Sequence, residues 1–498
     1  MNLMKDKLIE FAKQIPADQI NPSVDKLNDW TKNKQISNKY NRPLFKSKIT
    51  ARSAKFTSVI GNGDDEKNIS SIETLFKSIN PVDFVIKQVL IGENEKSAMT
   101  ATYMVTKEHA NKILMMETNF FESHHNIEDS DILTLDVPHF GERKVIVDSK
   151  ERVSYLMGID YYGEAKMSIL RMAMEIMRRD RNGLGLHAGS KMYRLNIDGE
   201  IKEKGMLIFG LSGTGKTTLT CHDHGFQEPE GVSILQDDIN FIGDDSSCYG
   251  TEKGFYVKCD NCPEHVQITD AVLADKSVLE NVYTDETGSI DWKNFDHTQN
   301  TRAVIDRGML KGTDSYIDLK DLNYILFNTR RPELPPIGRL TSPEQAAAYY
   351  GLGESIITSA EDPAKAGESK RVVGFDPFIL GEEALNINRI KDLIQNKPGI
   401  ECFVLNTGYV GEEENDISVD TTLRCIEAAI RGKIEWIDDE TLGYQIPAKI
   451  EKVDLDKLSP HKFYGEEKYK QLMENLKVDR KSFLTQFNGI QEEIINSI

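Results

Sequence analysis

Apolar and polar positions along the chain follow two periods, which predicts a mixture of strands and helices. Continuous apolar runs, typical of buried strands, lie at residues 83–91, 143–148, 206–209, 232–238, 254–259 and 324–328. Apolar residues at helical spacing predict a helix over residues 163–180, and residues 430–498 are charged with a helical pattern. We therefore expect an α/β fold.

The order of these elements predicts two domains. The chain has 498 residues, which is enough for two or three domains of ordinary size. We expect a first α/β domain over residues 1–182 and a second over residues 183–498. No internal repeat or low-complexity segment interrupts either part.

Composition and charge indicate which class of protein this is and which partners it is expected to lack. Hydrophobic residues make up 39% and charged residues 28% of the chain, and the N-terminus lacks the apolar stretch of a secretory signal. We therefore expect a soluble cytoplasmic protein with no membrane partner, as a monomer or small homo-oligomer. A net charge of −19 argues against a nucleic-acid partner, because nucleic-acid phosphates would be repelled. Any anionic ligand must then bind in a local basic pocket.

The six cysteines are few for this length and show no disulfide rhythm, which is typical of intracellular thiols. Cys259 and Cys262 form a CxxC pair that could bind zinc or perform redox chemistry, but no second pair follows. The sequence CHDH at residues 221–224 is either a metal site or, as we favour, a solvated turn.

The most specific motif is a Walker A P-loop between an apolar run and a predicted helix. This P-loop segment comprises Gly210, Leu211, Ser212, Gly213, Thr214, Gly215, Lys216, Thr217 and Thr218. Backbone N–H groups of such a glycine-rich loop can point inward together, and the following helix adds the positive end of its dipole. Lys216 can contact the outer phosphates of a nucleotide, and the Thr217 hydroxyl can bind a divalent ion.

Asp237 and Asp238 follow the apolar run at residues 232–235. A carboxylate at the end of a strand beside the P-loop strand is where a P-loop enzyme holds its metal. The alternative is two acids in a solvated loop. Because a P-loop lies about twenty residues upstream, we favour a metal-binding role for Asp238.

Nine motifs occur in order along the chain. They are GIDYYGEAKM (158–167), LHAGS (186–190), FGLSGTGKTTL (209–219), LQDD (235–238), EKGFYVK (252–258), SVLENV (277–282), QNTR (299–302), LPPIGRLT (334–341) and LNTGYVG (405–411). Together they resemble the ATP-dependent phosphoenolpyruvate carboxykinase family, from about residue 50 to residue 424. The resemblance implies a two-domain fold with the P-loop in the C-terminal domain, substrate residues in the N-terminal domain and an active site in the interdomain cleft.

The resemblance also implies roles for individual residues. Arg52 would hold the dicarboxylate substrate and carbon dioxide, and Tyr161 would contact substrate. Arg302 would bridge the substrate and the transferring phosphate. His187 and Asp238 would bind the active-site manganese.

On the nucleotide side, the resemblance implies that Lys216 serves the phosphates of ATP and that Thr217 binds magnesium. Lys258 would be a further phosphate-side lysine. The segment that packs against adenine contains Ile417, Ser418 and Thr422.

Several positions depart from the family pattern. Met167 stands where the family has a metal-binding lysine, with Lys166 one residue before it. A thioether is a poor ligand for a hard ion, so either Lys166 binds the metal or fewer protein groups hold it. Asp416 replaces an arginine near the nucleotide, which leaves the identity of the nucleotide open. Arg330 and Arg331 add two cations that suggest a more anionic second substrate.

Residues 358–372 combine small, charged and proline residues without apolar periodicity. The stretch resembles the family's lid, and we expect a mobile loop that closes over the ligands. Closure is needed because water would protonate an enolate before it could take a phosphate.

Three functions fit these residues. The first is an ATP-dependent carboxykinase that interconverts oxaloacetate and phosphoenolpyruvate. The second is a P-loop kinase with a different, more anionic small-molecule or protein acceptor. The third is a non-catalytic binding module, which fits poorly with an intact set of Lys216, Asp238 and Arg302. We favour the first because Arg52 supplies a dicarboxylate-binding group that a simple kinase does not need.

Overall fold

A computed structural model describes residues 3–50, 56–260, 262–357, 363–365 and 367–498. The chain divides into two compact units, each built from two separate stretches. Unit 1 comprises Met1–Ile176 and Thr251–Ile317, and unit 2 comprises Met177–Gly250 and Asp318–Ile498. This division differs from the single boundary expected at residues 182 and 183, because residues 251–317 cluster with the N-terminal stretch.

Helices occur in both units. They are α1 (Leu3–Lys13), α2 (Val24–Thr31), α3 (Asp65–Ser78), α4 (Asn111–Asn119), α5 (Tyr162–Asp180), α6 (Lys216–Cys221), α7 (Val266–Leu273), α8 (Pro343–Leu352), α9 (Glu383–Gln395), α10 (Val419–Ile430), α11 (Pro460–Tyr464), α12 (Glu466–Leu484) and α13 (Glu492–Asn496). Among the residues described, no helix has both the length and the apolar character needed to cross a membrane.

The strands of unit 1 are β1 (Leu44–Phe45), β2 (Thr57–Val59), β3 (Phe84–Ile91), β4 (Met99–Thr106), β5 (Phe121–Glu122), β6 (Ile132–Val137), β7 (Lys144–Asp148), β8 (Val153–Met157), β14 (Phe255–Lys258), β15 (Val278–Glu280), β16 (Tyr283–Thr284), β17 (Ile290–Asp291) and β18 (Arg302–Ile305). Those of unit 2 are β9 (Leu184–Ile197), β10 (Glu200–Gly210), β11 (Gly231–Gln236), β12 (Ile239–Ile242), β13 (Cys248–Gly250), β19 (Leu322–Thr329), β20 (Ile337–Leu340), β21 (Glu354–Ile356), β22 (Ser369–Arg371), β23 (Glu401–Asn406), β24 (Glu435–Asp439) and β25 (Tyr444–Lys449).

Unit 1 contains a seven-stranded sheet in the order β2-β7-β8-β6-β4-β3-β5 and a four-stranded sheet in the order β1-β15-β18-β14. Helix α1 packs on the larger sheet through Leu8 and Phe11, and α3 through Ile72 and Leu75. These side chains recur every three residues, so each helix presents one apolar face to the strands. The predicted strands at 83–91 and 143–148 are confirmed as β3 and β7.

Unit 2 is built on a ten-stranded sheet whose central order is β12-β9-β10-β19-β23. Strand β10 leads into the P-loop segment and pairs in parallel with β19 and antiparallel with β9. The residues of β10 from Gly205 to Gly210 are buried, as expected for a strand with neighbours on both sides and helices on its faces. Strand β11, which precedes Asp237, pairs with β9 rather than with β10. The expectation that it lies directly beside the P-loop strand was wrong.

The charge pattern of residues 430–498 predicted helices, but this part of the chain is not wholly helical. Residues 435–449 form β24 and β25, which extend the large sheet at one edge. The helical prediction is confirmed for α12, whose buried residues follow helical spacing. They are Tyr469, Met473, Leu476, Arg480 and Leu484. The buried arginine in this apolar face requires a buried partner.

Candidate active site

Strand, loop and helix follow one another at the P-loop segment in the order that the sequence predicts. Strand β10 ends at Gly210, and α6 begins at Lys216. Gly213 and Gly215 have φ values of +88° and +83°, a region that favours glycine, and a Cβ at either position would meet no atom within 4 Å. Open space therefore adjoins the loop at both glycines, and backbone N–H groups of such a loop can donate hydrogen bonds to a ligand.

Two side chains hold carbonyl groups of the loop. Arg330 Nη1 donates to Gly213 O at 3.2 Å, and Thr407 Oγ1 donates to Thr214 O at 2.8 Å. Thr407 was missed by the sequence reasoning, although it belongs to the LNTGYVG motif. Arg330 adds a second positive charge to the P-loop segment beside Lys216.

Lys216 and Thr217 both contact the acidic pair. Lys216 Nζ donates to Asp237 O at 2.6 Å and lies 3.8 Å from Asp238 Oδ1. Thr217 Oγ1 donates to Asp237 Oδ2 at 3.0 Å. The structure thus brings the predicted phosphate lysine, the predicted metal hydroxyl and the two carboxylates together within unit 2.

His187 joins this cluster from β9. Its Nε2 lies 2.9 Å from Asp238 Oδ1, and its Nδ1 lies 2.7 Å from Phe375 O. A carbonyl only accepts hydrogen bonds, so Nδ1 carries a proton. A neutral His187 then presents the lone pair of Nε2 to a carboxylate oxygen, and two acceptors at this distance need a proton or a cation to satisfy both.

Asp237 offers a further acceptor at this cluster. Its Oδ1 is buried and has no hydrogen-bond partner. Burial raises the pKa of Asp237 even though Lys216 opposes the rise. The residues present therefore fit a divalent ion. Among the described residues no group of three or more His, Cys, Asp and Glu side chains that could hold a metal ion is assembled.

The predicted substrate-side residues Tyr161 and Arg302, and also Lys258, lie in unit 1. Tyr161 is fully buried. Arg302 is buried, and its guanidinium carbon lies 5.7 Å from the centre of the Tyr256 ring. Lys258 lies at the exposed end of β14, with Nζ 3.8 Å from Asp260. Arg52 lies outside the described residues.

Lys166 is paired with a buried carboxylate of unit 1. Its buried Nζ lies 2.9 Å from Glu252 Oε1, which also accepts a 2.6 Å hydrogen bond from Asn119. This pairing engages the Lys166 amine, and the metal-binding role of Lys166 stays a prediction. Met167, the next residue, is also buried. Glu252 was missed as an individual residue, although the EKGFYVK motif contains it.

Unit 1 also contains a cavity of about 420 Å³, which the sequence did not predict. Its lining includes Lys34, Lys46, Lys48 and His139. Burial, together with positive neighbours that include Lys34, Lys48 and His139, lowers the pKa of His109 in its wall to about 2. The lining also includes Glu108, Asp160 and Glu280, and Lys34 Nζ lies 2.9 Å from Glu108 Oε1, so the cavity carries charges of both signs.

The predicted adenine segment has mixed surroundings. Ile417 is buried in an apolar cluster with Val410 and Leu458, and Thr422 is also buried. Ser418 is exposed and caps the N-terminus of α10, because its side chain accepts a hydrogen bond from Thr421 N. The side chains of Ile417 and Thr422 thus support the segment from within the core.

Arg331 is not the open cation that the sequence suggested. It is buried, and it lies 3.2 Å from Glu333 and 3.5 Å from Glu354. Two acidic partners neutralise it, so it offers no free charge to a second substrate. Of the predicted lid at 358–372, residues 358–362 and 366 lie outside the described residues.

Comparison with known proteins adds the family. The sequence profile of the phosphoenolpyruvate carboxykinase family, in its ATP-dependent branch, matches residues 34–456. The chain belongs to this family. It is 39% identical to a phosphoenolpyruvate carboxykinase (ATP) of Aeropyrum pernix, over 76% of each chain.

More distant relatives carry the same name. One from Bacillus cytotoxicus is 28% identical over 71% of this chain and 66% of its own length. One from Staphylococcus aureus is 28% identical over 68% of this chain and 65% of its own length. The resemblance found in the nine motifs is thus confirmed, and the family implies the use of ATP and a divalent metal. Residues 457–498 lie beyond the family match.

Proposed function

We propose that this chain converts oxaloacetate and ATP to phosphoenolpyruvate, ADP and carbon dioxide. The observation that carries the proposal is the cluster of Lys216, Thr217, Asp238 and His187 at a glycine-rich loop, in a chain of this family. This cluster provides both a phosphate-binding charge and oxygen and nitrogen ligands for a cation. The family match does not favour a kinase with a different acceptor.

The reaction has two steps. Cleavage of the bond between C3 and C4 of oxaloacetate releases carbon dioxide and leaves its electron pair as an enolate. The enolate oxygen then attacks the γ-phosphorus of ATP, and ADP leaves. Positive charge near both the enolate and the phosphates lowers the barriers, because both steps develop negative charge on oxygen.

Residues of both units take part in this proposal. In unit 2, the N–H groups of the P-loop segment orient the phosphates, and Lys216 neutralises the transferring group. In unit 1, Tyr161 and Arg302 bind the dicarboxylate together with Arg52.

His187 and Asp238 would hold Mn²⁺, and Thr217 would help to hold Mg²⁺ with the nucleotide. When bound, these ions would supply positive charge to the enolate and phosphate oxygens. Asp237 orients the Thr217 hydroxyl, and Phe375 O fixes the proton of His187 on Nδ1, so that Nε2 faces the ion.

The test is phosphoenolpyruvate formation by purified protein with oxaloacetate, ATP and Mn²⁺. Lys216→Ala should lower the rate about a hundredfold or more, because the charge on the transferring phosphate is then unopposed. Its folding should change little, since the Lys216 amine contacts Asp237 O and Asp238 rather than the apolar core. The exposed residue Lys433 gives a matched control, and Lys433→Ala should leave the rate unchanged. Near-normal activity of Lys216→Ala would refute the proposed role of the P-loop.

A further inference from the structure

The C-terminal segment, residues 457–498, contains α11, α12 and α13 and lies beyond the family match. Its buried side chains contact loops of unit 2 that also contact the P-loop segment or contain predicted nucleotide residues. These contacts are polar as well as apolar, which gives them defined geometry.

The first contact is a buried charge network between α12 and β21. Arg480 donates two hydrogen bonds to Glu354 Oε1, at 3.0 and 2.6 Å. Arg371 donates two more to Oε2, and Arg331 Nη1 lies 3.5 Å from the same oxygen. Burial alone would raise the pKa of Glu354, but these three guanidinium groups lower it to about 2. The carboxylate is therefore ionised and joins α12 to Arg331.

Further contacts come from α12, from α11 and from Leu458, which precedes α11. Tyr469 of α12 is fully buried, and its hydroxyl donates to Glu333 O at 3.0 Å. Leu458 packs against Val410 and Ile417. A Cβ on Gly411 would lie only 2.2 Å from the Phe463 ring, so the segment approaches this backbone closely.

These loops in turn hold the P-loop segment. Arg331 follows Arg330, whose guanidinium binds Gly213 O. The backbone carbonyl of Arg331 accepts a 2.8 Å hydrogen bond from Asn406, the residue before Thr407, which binds Thr214 O. A continuous series of contacts thus connects α12 with the carbonyl groups of Gly213 and Thr214 in the P-loop segment.

We propose that the C-terminal segment positions the P-loop segment for the nucleotide, with Arg480, Glu354 and Tyr469 as positioning residues. The proposal rests on nucleotide binding at the P-loop, which is part of the function proposed above. Loss of these contacts frees residues 330 and 331 to shift, and the loop then loses a donor to Gly213 O. Nucleotide affinity falls, whereas oxaloacetate binding by unit 1 does not depend on this network.

The experiment measures the Kd for ATP by calorimetry, and the KM values for ATP and oxaloacetate, in the full chain. Arg480→Met should raise the Kd and KM for ATP about tenfold and leave the KM for oxaloacetate unchanged. Tyr469→Phe removes a single hydroxyl and should raise the Kd for ATP by a smaller factor. Glu493→Gln is the matched control, because its 3.0 Å pair with Lys391 joins α13 to α9 rather than to the nucleotide loops.

An unchanged Kd for ATP in Arg480→Met would overturn the proposal, even if the protein became less stable. An equal rise in the Kd of Glu493→Gln would also overturn it, because the effect would then be general destabilisation. If Arg480→Met fails to fold, Tyr469→Phe decides by the same criterion. A protein that binds ATP with this dependence on Arg480 but forms no phosphoenolpyruvate would support the inference while refuting the proposed reaction.

Discussion

Lys191 is a fully buried lysine that closes the end of the P-loop helix α6. Its Nζ donates to Leu219 O at 2.8 Å and also to His222 O, both at the C-terminal end of the helix. Burial lowers the pKa of Lys191 to about 7, although Cys221 and Asp223 oppose the shift. A neutral amine still donates two hydrogen bonds, so the contact persists without the charge.

This pKa gives a prediction at the residue scale. Between pH 7 and about 10, the unfolded chain binds a proton at Lys191 that the folded chain does not bind. The free energy of unfolding should therefore rise with pH in this window, by at most about 1.4 kcal/mol per pH unit. Between pH 7 and pH 9.5, the free energy of unfolding measured in urea should rise less in Lys191→Met than in the native chain. Lys433→Met should show the same rise as the native chain. Identical pH dependence in Lys191→Met and the native chain would contradict the prediction.

At the scale of elements, close contact between β9 and α6 sets the position of Lys216. A Cβ on Gly189 of β9 would lie 2.1 Å from Oγ1 and 3.1 Å from Cβ of Thr220. Thr220 Oγ1 donates to Lys216 O at 2.8 Å, so the two ends of this short helix are coupled. Only glycine allows the strand and the helix to approach this closely.

We therefore predict that Gly189→Ala displaces α6. It should cost about 1–3 kcal/mol of stability and raise the Kd for ATP several-fold. The double variant Gly189→Ala, Thr220→Ala should recover part of both losses, because it removes the overlapping hydroxyl. Gly199→Ala is the control: it lies in the turn between β9 and β10 at a φ of +88° with no atom near its Cβ position. It should lower stability through backbone strain alone, and an equal effect on ATP binding would exclude displacement of α6.

At the scale of the whole molecule, the sequence predicted the features that depend on neighbouring residues. It did not predict those that depend on contacts between residues far apart in the chain. The P-loop residues and Asp238 could be found because each follows its own strand, and helix dipole and glycine geometry act locally. The burial and ion pairing of Arg331 could not be predicted, because its partner Glu354 in turn binds Arg480, which lies 126 residues after Glu354. The inclusion of residues 251–317 in unit 1 was also missed, because it depends on the pairing of β15 with β1, nearly half the chain away.

The discontinuous units give the last prediction. The chain leaves unit 2 after Gly250 and returns to it at Asp318. These two ends are adjacent, since Gly250 N donates to Asp318 Oδ1 at 2.9 Å and Leu319 N donates to Cys248 O at 3.0 Å. A fragment in which residues 177–250 are joined to residues 318–498 by a few glycines should therefore fold cooperatively and retain ATP binding.

The continuous fragment 183–498 is the comparison. It keeps β14, β15 and β18 but lacks β1, so that the sheet edge at β15 and its buried apolar side chains are exposed. We expect this fragment to bind a hydrophobic dye and to aggregate, whereas the joined fragment stays monomeric with a single urea transition. Equal behaviour of the two fragments would mean that residues 251–317 fold without the N-terminal stretch, contrary to the pairing of β15 with β1.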